Sequence, residues 1–165
     1  MAVIVDTNVA MVAQGLARQA DQTCVDACID RLTELTSLGG VVVDEGDEIV
    51  GEYVRRLSHA GKPGVGRAFA KWAWDNRFNP QRVTRVRITA INHRGWRRYR
   101  EFPDEPALMG FDPTDQKFVA VAIASRENPS ILNAVDSDWW NHQAALNAAG
   151  VNIEFLCPQH APPPR

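Results

Sequence analysis

Three short runs, apolar nearly throughout, recur along this chain: Val3-Ile4-Val5, Val41-Val42-Val43 and Ile131-Leu132-Asn133-Ala134-Val135, with helix-forming stretches between them. A strand that is apolar on both sides must be covered on both, and strands alternating with helices bury themselves best as a mostly parallel sheet between helical layers. The fold class expected is therefore α/β, a three-layer α/β/α sandwich. The first strand should span about 3–5 and lead into a helical stretch, and a second helix over roughly 20–37 should end at Gly39-Gly40. After the strand at 41–43, Asp44 is the candidate cap of a helix through about 58, with Glu45, Asp47 and Glu48 in its first turns, where the helix dipole favours acids.

Beyond the turn-rich GKPGVG at 61–66, RAFAKWAWDNRF reads as a helix. In RVTRVRITAI, Val86 and Ile88 alternate with Arg85, Arg87 and Thr89, the period of one half-exposed strand. Residues 92–110 read mostly as loop with some helical turn. Asp112-Pro113 then has the form of a cap followed by a first-turn proline, opening a nearly apolar helix to about Arg126. A strand at 131–135, a helix over 139–149 ended by Gly150, and a last strand in VNIEFLC complete the order. At 165 residues the chain fits one domain, taken as 1–158, with a proline-rich tail at 159–165 that is expected to be frayed.

Five acids stand out against this frame. Asp6 directly follows Val3-Ile4-Val5, Asp136 and Asp138 follow the run at 131–135, Asp115 opens the apolar helix, and Glu52 lies in EIVGEYVRRL. Functional groups of an open α/β sheet collect beyond the carboxyl ends of its strands, which is where Asp6, Asp136 and Asp138 fall. Carboxylates within ~5 Å repel one another, and without a counter-charge one or more must take up a proton. A hard divalent cation removes that cost, and all-oxygen ligation suits Mg²⁺ or Mn²⁺ rather than zinc.

In order along the chain, VIVDTNV, EYVRRL, DQKFVAVAIA and AVDSDWW resemble the acidic motifs of the PIN-domain nucleases, and the resemblance covers most of the sequence. It implies that Asp6, Glu52, Asp115 and Asp136 are the catalytic carboxylates. It also implies that Asp6, Asp115 and Asp136, joined by Asp138, hold metal, and that Asn8 supports the site. Glu48, one helical turn before Glu52 on the same face, competes with it for the glutamate role. One departure is Ala134, where the family often carries Thr two residues before the aspartate, so a supporting hydroxyl is missing.

A net charge of −2 conceals an asymmetry. Residues 62–100 carry eleven Lys or Arg and one acid, Asp75, leaving seven basic and nineteen acidic residues to the rest of the chain. The basic segment is interleaved with Trp72, Trp74, Trp96 and Tyr99. Cations that neutralise phosphates, beside aromatics that stack on unpaired bases, point to nucleic acid, with Arg85, Arg87, Arg94, Trp96, Arg97 and Arg98 as the contacting residues. The competing reading is that some tryptophans are core and the arginines meet an acidic surface, of this chain or of a partner.

Cys24, Cys28 and Cys157 have no zinc-knuckle spacing. Cys24 and Cys28 would share a helix face with Leu32 and Leu35, so they are expected to be core packing. Cys157 and His160 are only two ligands and make no metal site. His59, His93, His142 and His160 form no recognisable cluster. No apolar run approaches the ~20 residues that cross a bilayer, so a cytoplasmic protein without a membrane partner is expected.

Together these features lead to the expectation of a metal-dependent endonuclease, most naturally an endoribonuclease cutting single-stranded RNA, with DNA as the alternative substrate. By analogy with small PIN domains it would be a toxin or defence effector, with an antitoxin or defence-system partner protein and a homodimeric state. Two rivals stand beside it. One is a non-catalytic PIN-like module that binds nucleic acid or protein. The other is a Rossmann-like Mg²⁺-dependent phosphatase, which would need a second Asp where Asn8 stands or a Lys near the end of a later strand.

Overall fold

The structure, a computed structural model, describes residues 1–163; Pro164 and Arg165, the end of the tail expected to be frayed, lie outside the described residues. Among the described residues seven strands form: β1 (Val3–Val5), β2 (Val41–Asp44), β3 (Val83–Val86), β4 (Ala90–His93), β5 (Trp96–Tyr99), β6 (Ser130–Asn133) and β7 (Ile153–Phe155). Seven α-helices accompany them: α1 (Thr7–Ala13), α2 (Gln22–Leu38), α3 (Glu48–Leu57), α4 (Val65–Asn76), α5 (Gln116–Ala124), α6 (Ser137–Asn141) and α7 (Gln143–Ala148). Five strands make one parallel sheet in the order β3-β2-β1-β6-β7, flanked by helices as a three-layer α/β/α fold.

β1 lies at the middle of that sheet. Its Val3, Ile4 and Val5 pair with Ser130, Ile131 and Leu132 of β6, and Val3 also pairs with Val41 of β2. All three β1 side chains are buried, as are Val41, Val42 and Val43, so the doubly apolar runs are buried on both faces as their composition requires. The chain builds outward from β1 through β2 to β3, then crosses to the far side of β1 for β6 and β7. The order therefore reverses between β1 and β6, and their carboxyl ends flank the crevice where ligands of such sheets bind.

Helices α1 and α4 cross closely because Gly66 has no side chain: a Cβ there would sit 2.0 Å from the Ala10 carbonyl oxygen. Beside it the buried Gln14 side chain accepts from the Arg67 N–H (2.8 Å) and donates to the Lys62 carbonyl (3.0 Å), holding the start of α4 against α1. Asp44 caps α3 from a distance. The helix begins only at Glu48, and the fully buried Asp44 carboxylate at the end of β2 accepts from the N–H groups of Glu48 (3.0 Å) and Ile49 (2.8 Å).

Three local expectations need correction. The single strand across 82–91 is split: β3 stops at Val86, and residues 90–93 leave the sheet to pair antiparallel with β5. Residues 92–110 are largely loop and turn, with a 3-10 turn at Pro106–Leu108, as expected, but they begin with the unexpected β4–β5 hairpin. Its turn residues Arg94 (φ 49°) and Gly95 (φ 80°) are both left-handed, the conformation that matches the twist of a two-residue hairpin. At its base the Thr89 N–H donates to both carboxylate oxygens of Glu101 (3.0 and 2.9 Å), and the Arg100 N–H to the Thr89 carbonyl. The helix expected over 139–149 is two, broken at His142, whose backbone (φ −108°, ψ 8°) leaves the helical region.

The cysteines also differ. Cys24 and Cys28 do pack in the core beside Leu32 and Leu35, but Cys24 is joined by a disulfide to Cys157, which follows β7. Cys28 remains a buried thiol, its pKa pushed up to about 12 by burial. The bridge closes a loop across a separation of 133 residues and so limits the freedom of the unfolded chain. Reduction, or a Cys157→Ser substitution, is expected to lower the unfolding free energy by about 2–4 kcal/mol, read as a shift in urea midpoint against the oxidised protein.

Candidate metal centre

Asp6 is the last step of β1 into α1. Its carboxylate caps that helix by accepting from the Asn8 N–H (2.8 Å), while its second oxygen accepts from the Trp139 indole N–H (2.6 Å). Asp136 performs the same local task at the end of β6, accepting from the Asp138 N–H (2.9 Å) to start α6. Asp115 ends the 3-10 turn Pro113–Asp115 that opens α5, and Asp112 caps that turn through the Thr114 N–H and hydroxyl (2.9 Å each). Oxygens of Asp6, Asp115 and Asp136 come within 4.8 Å of one another. Each is thus placed by an ordinary strand end or helix start, and the sheet's reversal brings all three together.

Asn8 ties two of these ends to each other. Its amide nitrogen donates to Asn133 Oδ1 (2.8 Å), and its own oxygen accepts from the backbone of Ala134 (2.9 Å) and Val135 (3.2 Å). Asn133, fully buried, then donates to the Asp136 carbonyl (3.1 Å). This chain of amides fixes the segment that carries Asp136 through backbone groups, which needs no hydroxyl at Ala134. Tyr53 adds a further brace, its hydroxyl donating to the carbonyl of Val5.

Electrostatics at the three acids follow from burial and proximity. Burial is the largest cause in each case. It raises Asp6 from 3.8 to about 6, against the Asn8 and Trp139 donors and with the nearby Asp136 charge adding to it. It raises Asp115 to about 9, with Asp6 and Asp136 adding repulsion. Asp136 is raised as well, again first by burial. Among the described residues no N–H donates to the Asp115 carboxylate. A buried acid that accepts no N–H and faces two other carboxyls, with the Lys117 charge only partly offsetting their repulsion, belongs to a donor set that fits a hard divalent cation, and Mg²⁺ or Mn²⁺ takes such all-oxygen ligands.

Glu52 lies on α3 and lines the same cavity, of about 330 Å³, as Asp6, Asp115 and Asp136. It accepts from the Thr7 hydroxyl (2.6 Å) and lies 3.4 Å from the buried Lys117 ammonium, which also donates to the Thr114 carbonyl. Glu48 is turned elsewhere, accepting from the Tyr99 hydroxyl (2.6 Å) and pairing with Arg97 (2.7 Å). Of the two glutamates it is Glu52 that faces the acids. Asp138, expected as a ligand, stands outside the cluster: its carboxylate accepts from the Asp112 N–H (2.8 Å) and sits 3.1 Å from His142.

The basic segment divides. Arg85 is committed to the fold, pairing with Asp47 (2.7 Å), donating to the Glu45 carbonyl and lying over the Phe78 ring. Arg87, Arg94 and Arg98 are exposed and have no ionic partner among the described residues, while Arg97 is exposed but paired with Glu48. Trp96 is 62% exposed on the hairpin, whereas Tyr99 is buried and Trp72 half-buried. Sequence reasoning missed Thr7, Lys117, Asn133 and Trp139 as parts of the site. Lys117 carried a signal, as the only charged residue within the apolar helix QKFVAVAIA.

No protein-family model matches this sequence, and no curated protein or solved structure is significantly similar to it.

The raised carboxyl pKa values fix the sign of a pH effect. Folded carboxyls that hold protons more tightly than unfolded ones favour the fold at low pH, and that contribution is lost as pH rises from about 4 through 6 and 9. In EDTA, Asp115→Asn should therefore melt above the wild type at about pH 8, by on the order of 1 kcal/mol, and the gap should close by about pH 5. Adding Mn²⁺ at the higher pH should raise the melting temperature of the wild type and not that of the variant.

Proposed function

We propose that this chain is a metal-dependent endonuclease acting on single-stranded nucleic acid, with RNA the favoured substrate. The observation that carries the reading is the convergence of Asp6, Asp115 and Asp136 at the β1–β6 crevice, with Asp115 free of any N–H donor and Glu52 on the same cavity wall. Asp6, Asp115 and Asp136 would hold one or two Mg²⁺ or Mn²⁺ ions. A divalent ion in such a site neutralises phosphate charge and makes water acidic enough to attack near neutral pH. The chain's own residues supply the rest. Asn8, Asn133 and Trp139 keep the carboxylates in register; Glu52, steadied by Thr7 and Lys117, accepts the proton of the attacking water; Arg56, on the same wall, meets the phosphate.

Arg87, Arg94 and Arg98 are exposed cations with no ionic partner among the described residues, which supports a polyanionic substrate over a small ester. A toxin or defence role, with an antitoxin partner or a homodimer, belongs to the same proposal by analogy with the PIN nucleases. Among the described residues no helix is long and apolar enough to cross a membrane. A cytoplasmic site of action suits an RNA substrate, while the Cys24–Cys157 disulfide favours a compartment that keeps thiols oxidised.

Lys117 is the one observation that favours the phosphatase reading, because it places an ammonium beside the acidic cavity. Against that reading, the residue two after Asp6 is Asn8, whose amide is occupied in holding β6. Hydrolysis of p-nitrophenyl phosphate without strand cleavage would establish the phosphatase instead.

The deciding assay is cleavage of labelled single-stranded RNA and DNA with Mn²⁺, Mg²⁺ or EDTA. Metal-dependent cutting is expected, with Asp6→Asn and Asp136→Asn lowering the rate on the order of 100-fold or more. Asn8→Ala, which acts through the backbone of β6, should lose about 10- to 100-fold. Binding without cutting under every condition would leave a non-catalytic module.

A further inference from the structure

A second cavity, of about 500 Å³, opens between α3, the β4–β5 hairpin and the turn at 112–114. It adjoins the acidic cavity, with Glu52, Asp112 and Thr114 lining both. Trp96, which is exposed, lines this second cavity together with Arg55 and Arg97. We propose that this cavity takes one unpaired base of the bound strand, next to the phosphate held at the acids, by stacking it on Trp96. The proposal rests on the nuclease reading for the identity of the strand.

Several observations point to a base rather than to a protein side chain. Trp96 stands among cations: its strand neighbours Arg97 and Arg98 are exposed, as is the turn residue Arg94. An indole face flanked by guanidinium groups matches the chemistry of a nucleotide, a flat ring joined to an anion. The cavity also lies within the ~300–1,000 Å³ of sites that enclose small molecules.

The stacking platform is built rigidly. Tyr99 and Arg97 both bond Glu48 of α3 (2.6 and 2.7 Å), and Glu101 clamps the Thr89 N–H, so the hairpin is fixed to the helix that presents Glu52. The indole and the acids are thus held in one frame. A base paired in a duplex has its faces covered by its neighbours and must leave the stack before it can enter.

The test is binding of a labelled single-stranded oligonucleotide and of its duplex to metal-free protein in EDTA, alongside a Mn²⁺ cleavage assay. Trp96→Ala is expected to weaken single-strand binding about tenfold, Trp96→Phe to stay within about twofold of wild type, and duplex binding to be indifferent to both. Trp96 is exposed, and an unchanged melting temperature shows that Trp96→Ala still folds. If wild type cleaves but Trp96→Ala binds the single strand as tightly as wild type, the subsite is overturned and the nuclease reading stands. Binding that depends on Trp96 without any cleavage keeps the subsite and removes the nuclease. Absence of single-strand binding by wild type in EDTA, and again with Ca²⁺ added to neutralise the acids, overturns the subsite outright.

Discussion

Repulsion among buried carboxylates is the constraint around which this molecule is arranged. Asp6, Asp115 and Asp136 come from a strand end, a helix start and another strand end, and nothing about their local roles requires them to meet. Yet meeting forces at least one of them to hold a proton when no cation is present, which is an energetic cost that the fold must absorb. It absorbs it through rigid neighbours. Asn8, Asn133, Trp139 and Tyr53 direct polar groups at the two strand ends, so the acids have no freedom to swing apart. A site held in this way is preorganised for positive charge, because the repulsion that costs stability without a cation is the energy released when one arrives.

The sheet explains why the acids sit where they do. Its central strands β1, β2 and β6 carry buried apolar residues along their lengths, and their polar residues stand at the strand ends, as Asp6, Asp44 and Asn133 do. Parallel pairing then aligns those ends on one side, and the reversal of order between β1 and β6 opens a gap there. Patterning of this kind is what a sequence displays openly. The three apolar runs, Asp6 and Asp136 at their tips, and Asp115 at a helix start were all legible in the sequence, whereas the choice between Glu52 and Glu48 was left open.

What was not legible depended on long-range geometry or on competition between partners. Alternation across 82–91 reads as one strand, but the pairing partner changes at Val86, and only the left-handed pair at Arg94-Gly95 hints at a hairpin beyond it. Cys24 and Cys157 are far apart in the chain, and their spacing says nothing of a shared position at the α2 end. Asp138 has the right sequence address for a ligand, but the nearby Asp112 N–H and His142 compete for it. A run of eleven cations looks uniform on paper. In space Arg77 and Arg85 serve Asp47 and Arg82 serves the end of α2, so a count of charges overstates the basic surface.

The Cys24–Cys157 bridge carries a practical consequence for anyone handling this protein. It makes a covalent ring of everything between α2 and the end of β7, with the acidic centre's Glu52, Asp115 and Asp136 inside the ring and Asp6 on the short arm outside it. A protease that cuts once in any connecting segment between those cysteines, such as the Gly61–Gly64 turn, therefore releases nothing. The nicked molecule keeps its mass on a non-reducing gel, and its two pieces separate only when thiol is added.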